Sequence, residues 1–221
     1  MANKTENNRE ARKRLLIVED NAEFREGAER FFKGVAITPV YAGDFLQFED
    51  IIKQREFDGI ITDCFFPYQT GSDQKAKGLE AIEKMKAVCP SRKNPVALAL
   101  WKSYEQGMAE GGLRLFCENS GVDFDKVADS YLQLDMAIKQ SEANQPLGIF
   151  VAEQAQQIGI PFVLATSTNH HDTLTEPIVR YCGAKRWILV DCARDSVHQK
   201  ASPEFWERAY SELERRMEEA K

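Results

Sequence analysis

The sequence predicts a doubly wound α/β domain built on a five-stranded parallel sheet. Short, continuous apolar runs recur along the chain, beginning with Leu15–Val18, and such runs are typical of strands that are covered on both faces. Segments with the apolar spacing of amphipathic helices lie between these runs. Because strands and helices alternate, we expect parallel pairing with right-handed crossovers.

The first strand–helix unit is the clearest. The apolar run 15–18 ends abruptly at Glu19 and Asp20, and Asn21 is suited to cap the helix that follows. The predicted buried residues of that helix recur at helical spacing: Phe24, Ala28, Phe31 and Phe32. This pattern predicts a strand, a polar turn and a helix.

The same unit then repeats along the chain. A second strand is predicted over 37–42, a second helix follows it, and a third strand over 59–62 ends at Asp63. Two more buried strands are predicted over 161–165 and 187–190. Ser202 and Pro203 begin a final helix as an N-cap and N1 pair.

The third and fourth predicted strands are separated by far more residues than one crossover helix needs, which indicates an insertion. If the helical segment 147–158 is the crossover helix, the insertion covers 68–146. A competing division makes 78–88 the crossover helix and places the insertion later. Because the inserted segment contains several stretches with helical spacing, we expect a helical subdomain in either case.

Composition restricts the classes of partner. The 221 residues include 29 basic and 35 acidic side chains, a formal charge of −6, without a long block of one sign. This balance argues against nucleic acid as a direct partner. No stretch approaches the roughly 20 apolar residues that span a bilayer, so we expect no membrane association. Oligomeric state does not follow from the sequence.

The cysteines and the N-terminus indicate the cellular compartment. Five cysteines are widely spaced and include no CxxC pair, which argues against a disulfide framework or a zinc ribbon and favours a reducing compartment. The N-terminal segment is polar throughout and has no apolar core of a signal peptide. We therefore expect a cytoplasmic protein with a disordered tail over 1–13 and one domain over 14–221.

Acidic side chains follow two strands that are expected to be neighbours in the sheet. Glu19 and Asp20 come after the first strand and Asp63 after the third. Ligands of open parallel sheets bind beyond the carboxyl ends of the strands. Three carboxylates at this edge repel one another unless a cation or protons intervene. The pattern favours a site for a hard, oxygen-ligated ion such as Mg²⁺.

These residues, taken together, resemble a known family. The strings LLIVEDN at 15–21, GIITD at 59–63 with Pro67 beyond it, and GIPFVLATS at 159–167 are similar to the response-regulator receiver domain of two-component signalling. The resemblance covers roughly half of the chain. It implies a flavodoxin-like sheet of strand order 2-1-3-4-5, with the helical insertion between the third and fourth strands.

The resemblance also implies roles for individual residues. In receivers, an acid pair holds Mg²⁺, an aspartate after the third strand accepts a phosphoryl group from a histidine kinase, and a hydroxyl after the fourth strand senses it. These positions correspond to Glu19 with Asp20, to Asp63 and to Thr166. Phe65 is expected to offer its backbone carbonyl to the metal.

One departure from the family concerns the fifth strand. Receivers place a lysine followed by a proline at its end, whereas Val190 and Asp191 stand there in this chain. Lys185 and Arg186 precede the strand, at its opposite end, and Arg194 lies in the following loop. We therefore expect no matching active-site lysine, and a carboxylate at this position is expected to disfavour a phosphorylated Asp63 by like-charge repulsion.

Three functional hypotheses follow. The first is a stand-alone receiver-like signalling protein with Asp63 as phosphoacceptor, served by a histidine kinase or another signalling protein. The second is a pseudo-receiver that acts as a phosphorylation-independent binding or scaffold module. The third is a Mg²⁺-dependent phosphatase resembling haloacid-dehalogenase hydrolases. That family carries a second aspartate two residues after its nucleophile, where this chain has Phe65.

Overall fold

The computed structural model describes residues 12–71, 74–90, 94–194 and 196–220. Most of the predicted tail, 1–13, lies outside the described residues, and Lys13 already belongs to the first strand. Within the described part of the chain, no helix is long and apolar enough to cross a membrane.

The sheet has five parallel strands in the order β2-β1-β3-β4-β5, which confirms the predicted fold class. The strands are β1 Lys13–Val18, β2 Ile37–Ala42, β3 Gly59–Thr62, β4 Phe162–Ala165 and β5 Leu189–Val190. The last strand is shorter than predicted. Trp187 precedes β5 and packs edge-on against the ring of Phe162 rather than pairing in the sheet.

Helices cover both faces of the sheet. Two of them, α1 (Ala22–Phe32) and α10 (Pro203–Glu219), pack on one face against Leu15 and Ile17. The opposite face buries Leu16 and Val18 under α2 (Phe45–Ile52) and the other helices that pack on this side. Successive side chains of a strand point to opposite faces, so β1 must be apolar at every position from 15 to 18.

Among the described residues of the predicted insertion 68–146, five α-helices lie between β3 and the helix that precedes β4. They are α3 Ala76–Val88, α4 Pro95–Glu105, α5 Glu110–Asn119, α6 Phe124–Val127 and α7 Ser130–Gln140. Helix α3 joins the main core through Ala81, Ile82 and Met85. Helices α4 to α7 share a second, smaller core around Leu113 and Leu132. The helical character expected for the insertion is therefore confirmed.

The helix directly before β4 is α8 (Gly148–Ile158), and it packs on β3 and β4. This is the arrangement expected if 147–158 is the crossover helix. Helix α3 packs instead against α7 and α9 (Glu176–Lys185). Helix α8 ends at Gly159, whose left-handed backbone (φ 75°) provides the expected C-terminal turn.

Candidate functional site

Three carboxylates meet at the carboxyl edge of the sheet. Strands β1 and β3 are neighbours in register, so Glu19 and Asp20 leave the sheet beside Asp63. The backbone N–H of Asp63 donates to the carbonyl of Val18 at 2.8 Å, which fixes the two strand ends together. One carboxylate oxygen from each of the three residues lies within 4.8 Å of the others. The structure therefore brings together the three acids that the sequence singles out.

A fully buried lysine occupies the centre of this acidic cluster. The Nζ atom of Lys200 lies 2.6 Å from Oε2 of Glu19 and 2.9 Å from Oδ2 of Asp63. The sequence predicts no lysine at the end of β5, and Val190 and Asp191 do stand there; the buried Lys200 was not predicted. The cation comes from further along the chain than the end of β5. Asp191, which stands at the position expected for that lysine, binds His170 instead.

Close packing between α1 and the segment after β5 holds Lys200 in place. Lys200 belongs to a 3₁₀ turn, Val197–Ala201, which lies against α1 where Gly27 leaves room. A Cβ atom at Gly27 would overlap the carbonyl of Ala201. The indole N–H of Trp206 donates to the Lys200 carbonyl at 2.7 Å. These contacts direct the lysine side chain inward, beneath the carboxylates.

The sequence offered only a weak signal for Lys200. The lysine lies in a short polar segment without strand or helix periodicity, so no pattern distinguishes it from a solvated loop residue. The one available signal is charge balance, since three converging carboxylates require a cation. That argument calls for a positive charge but does not say which residue provides it.

Burial and mutual repulsion disturb the protonation of the acids. Burial, with the Asp63 charge adding to it, raises the pKa of Asp20 to about 6. Burial also raises the pKa of Glu19 above its ordinary range, even with Lys200 beside it. Burial opposes the charge of Lys200, but the attraction of Asp63 and Glu19 outweighs it and holds the lysine pKa above its usual value. If all three carboxylates are ionised, the Lys200 ammonium leaves an excess of two negative charges.

Asp63 is held firmly and still reaches a cavity. Its Oδ1 accepts the backbone N–H of Cys64 at 2.6 Å, and its Oδ2 faces Lys200. The side chain also lines a cavity of about 210 Å³ at the edge of the sheet. The lining residues are Asp20, Asn21, Phe24, Asp63, Phe65, Ala143, Asn144, Ser167, Thr168 and Leu174. Asp63 and Asp20 are therefore the two acids in the wall of this cavity.

The three carboxylates could hold a metal ion. Their oxygens are hard ligands, and in the fully ionised cluster two negative charges are not compensated by Lys200. Phe65 also lines the cavity, on the loop that follows Asp63. Its carbonyl as a fourth ligand stays a prediction.

Thr166 is placed differently from the other predicted site residues. It is completely buried at the end of β4, and its hydroxyl lies 2.8 Å from that of Thr168. Ser167 and Thr168 line the cavity, whereas Thr166 does not. The Thr166 hydroxyl also contacts the thiol of Cys64, the residue next to Asp63. The structure thus puts Thr166 one layer behind the cavity wall.

The end of the insertion forms part of the site. A 3₁₀ turn, Glu142–Asn144, contributes Ala143 and Asn144 to the cavity wall. The backbone N–H of Gly148 then donates to the Cys64 carbonyl at 3.2 Å. A Cβ atom at position 148 would overlap the Asp63 carbonyl, so this close approach requires glycine. The insertion therefore borders the acidic cluster, and the start of α8 supports the Asp63 backbone.

Comparisons with known proteins add no family assignment. No protein-family model matches the chain, and no curated protein matches it in sequence. The parallel sheet of order 2-1-3-4-5 and the Glu19, Asp20 and Asp63 cluster are compatible with a receiver-like fold. The functional argument therefore depends on the geometry of this site.

Proposed function

We propose that this chain is a receiver-like signalling protein in which Asp63 accepts a phosphoryl group. The observation that carries the proposal is the position of Lys200, whose Nζ lies 2.9 Å from Asp63 Oδ2. A buried cation beside a carboxylate nucleophile is the arrangement that a phosphoryl acceptor needs, because the transferred group brings negative charge. Receivers have a lysine at the end of the fifth strand, where this chain has Val190 and Asp191. We propose that Lys200 takes the place of that lysine.

The proposed reaction uses the groups already in place. A carboxylate oxygen of Asp63 forms the bond to phosphorus while the bond between phosphorus and the donor's leaving group breaks, and the leaving group takes the electron pair. Lys200 binds phosphoryl oxygens as they replace its contact with the free carboxylate. Glu19, Asp20, Asp63 and the Phe65 carbonyl would hold Mg²⁺, which would supply positive charge beside the transferred group.

The phosphoryl donor and the cellular compartment are part of the same proposal. We propose a phosphohistidine of a histidine kinase, or another signalling protein, as the phosphoryl source, and the cytoplasm as the compartment. The support is the acidic cluster at the ligand-binding edge of a receiver-like sheet.

A second candidate function is a phosphorylation-independent binding module. The observation that favours it is that Lys200 already forms ion pairs with both Glu19 and Asp63. A buried pair of this kind also serves as a structural element of a fold. In that case the acidic cluster only stabilises the fold, and partners bind elsewhere on the surface.

Phosphoryl labelling separates the two candidates. Purified protein is incubated with acetyl phosphate and Mg²⁺, and the intact mass is measured together with the lability of the adduct to hydroxylamine, which cleaves acyl phosphates. The phosphoacceptor proposal predicts one labile phosphoryl group on the wild type and none on Asp63→Asn. Asp58→Asn, which changes an exposed acid just before β3, is the matched control and retains labelling. An unlabelled wild type that nevertheless binds Mg²⁺ would favour the binding module.

A further inference from the structure

Exposed apolar side chains concentrate on the inserted helices. Residues Leu115 and Phe116, both on α5, are 54% and 55% exposed. Large apolar residues that are grouped on one region of the surface mark interaction sites, whereas single scattered ones do not. Among the described residues, six of the seven large apolar residues that are well exposed lie in the insertion: Val88, Val96, Leu98, Met108, Leu115 and Phe116.

The outer side of α5 combines Leu115 and Phe116 with two glycines. Leu113 and Cys117 of this helix turn inward, into the small core that α4 to α7 share. Gly112 precedes Leu115 by three residues and Phe116 by four, so these residues share the opposite, exposed side of the helix. We define the outer face of α5 as the four uncharged residues Gly111, Gly112, Leu115 and Phe116.

The outer face is self-complementary when two α5 helices pack antiparallel. A two-fold axis midway between positions 113 and 114 brings Phe116 of one copy over the partner copy's Gly111. The same axis brings Leu115 over the partner copy's Gly112. A Cβ atom at Gly111 would meet nothing within 4 Å inside the monomer, so the space above it is open. Each large side chain of the outer face therefore meets a position without a side chain, which is the condition for an isologous contact.

The same arrangement brings a carboxylate to a helix N-terminus. Ala109 is the N-cap of α5 and provides no side-chain cap. The first N–H groups of a helix have no acceptor within the helix, and this end carries a partial positive charge. In the antiparallel pair, Glu118 of one copy stands opposite the partner copy's Ala109. The contact forms twice by symmetry, and in this register each charged residue of α5 stands opposite an uncharged one.

The size of the contact determines its strength. Helix α5 has 10 residues and is therefore about 15 Å long. An interface of standard size buries roughly 800 Å² on each partner, which is more than one such helix provides. Helix α4 packs beside α5 and adds the exposed residues Val96 and Leu98 to this region. We therefore expect a weak dimer whose population depends on protein concentration.

We propose that the outer face of α5 binds a second copy of this chain in an antiparallel, two-fold contact. The insertion thereby acts as the dimerisation element of the molecule. None of the four residues of the outer face lines the cavity at Asp63. The pairing is therefore independent of the proposed phosphoacceptor function.

Sedimentation equilibrium of the full chain over a roughly hundredfold range of protein concentration tests the pairing. The wild type is expected to change reversibly from monomer to dimer. Gly111→Leu fills the space that receives Phe116 and is expected to weaken the dimer by about tenfold or more. Gly183→Leu is the matched control and keeps the dissociation constant of the wild type. It also changes an exposed helical glycine whose added Cβ meets nothing within 4 Å.

Charged variants test the antiparallel register. Glu118→Gln removes the carboxylate from the partner's helix end and is expected to weaken the dimer by about threefold. Gly111→Lys and Phe116→Glu are each expected to remain monomeric. An equimolar mixture of these two variants brings opposite charges together across the axis, so it is expected to associate about tenfold more tightly than either variant alone.

Three outcomes would overturn the proposal. A wild type that remains a monomer at every concentration leaves the outer face to a different protein. A Gly111→Leu variant that dimerises as the wild type does shows that the contact lies elsewhere, and Phe116→Glu gives the same test should Gly111→Leu fail to fold. A mixture that associates no better than its components contradicts the register. None of these results affects the phosphoryl labelling of Asp63, so the two proposals fail separately.

Discussion

The acidic pocket has two halves that differ in how their charge is compensated. In the inner half, Glu19 and Asp63 lie within 2.6 and 2.9 Å of the buried Lys200 ammonium. In the outer half, Asp20 lines the cavity and has no ion pair within the described part of the chain. The inner half therefore contributes to the fold, whereas the charge of Asp20 in the outer half is offset only at a distance, by Lys200 and Arg25.

The largest expected effect comes from removing the cation of the inner half. Lys200→Met leaves two buried carboxylates without a partner and should lower the free energy of unfolding by about 3–5 kcal/mol. Urea denaturation measures this loss. Lys102→Met, on the exposed side of α4, is the matched control and should change stability by no more than about 0.5 kcal/mol. Equal stability of the two variants would show that the inner half is not structural.

A smaller loss of stability is expected where the first residue of α8 packs against the Asp63 backbone. Gly148→Ala forces a Cβ atom against the Asp63 carbonyl and should cost about 1–3 kcal/mol in unfolding free energy. Gly183→Ala is the control, because its added Cβ meets nothing within 4 Å. Inside α9, that alanine should be neutral or stabilising by up to about 1 kcal/mol. If Gly148→Ala leaves the unfolding free energy unchanged, the Asp63 backbone is free to move.

A substitution in the outer half should raise the free energy of unfolding rather than lower it. Asp20→Asn removes a charge that burial and Asp63 both disfavour, so we expect the metal-free protein to gain about 1–2 kcal/mol of stability at pH 7.5. Thermal or urea denaturation in a chelator measures the gain. A destabilised Asp20→Asn would indicate that Asp20 has a structural role like that of the inner pair.

The Asp20 carboxyl also makes the stability of the protein depend slightly on pH, and the direction of its pKa shift sets the direction of this dependence. The folded-state pKa of Asp20 is about 6, raised from 3.8, so the folded state binds its proton more tightly than the unfolded state does. The contribution of Asp20 to stability is therefore fully present below about pH 4 and is lost as pH rises through 6. The advantage of Asp20→Asn over the wild type should shrink toward zero as pH falls from 7.5 to about 4. An advantage that is constant with pH would contradict this assignment.

The two halves also differ in how far the sequence predicts them. The run 15–18 is apolar at every position because both faces of β1 are covered, and this pattern placed Glu19 and Asp20 at the strand end correctly. Asp63 followed from the same logic on β3. Lys200 did not, because its position depends on the packing of a 3₁₀ turn against Gly27, a tertiary contact that leaves no periodic signal.

The sequence likewise predicts some features of the insertion and misses others. Its helical character followed from apolar spacing, but the chain between 124 and 138 is divided into α6 and α7 by the extended backbone of Ala128 and Asp129. Asp129 caps α7 by accepting the backbone N–H of Tyr131. The contact of the insertion with the acidic pocket depends on Ala143 and Asn144, and that of α8 on Gly148; none of these residues belongs to a periodic pattern.

A calorimetric titration with Mg²⁺ tests the division of the pocket most directly. We expect the wild type to bind one Mg²⁺ ion and Asp20→Asn to bind it about tenfold or more weakly, although this variant is the more stable protein without metal. Asp58→Asn is the control for the lost surface charge and should bind as the wild type does. Equal affinity of the wild type and Asp20→Asn, or no binding to either, would contradict the claim that the outer half holds its charge for a cation.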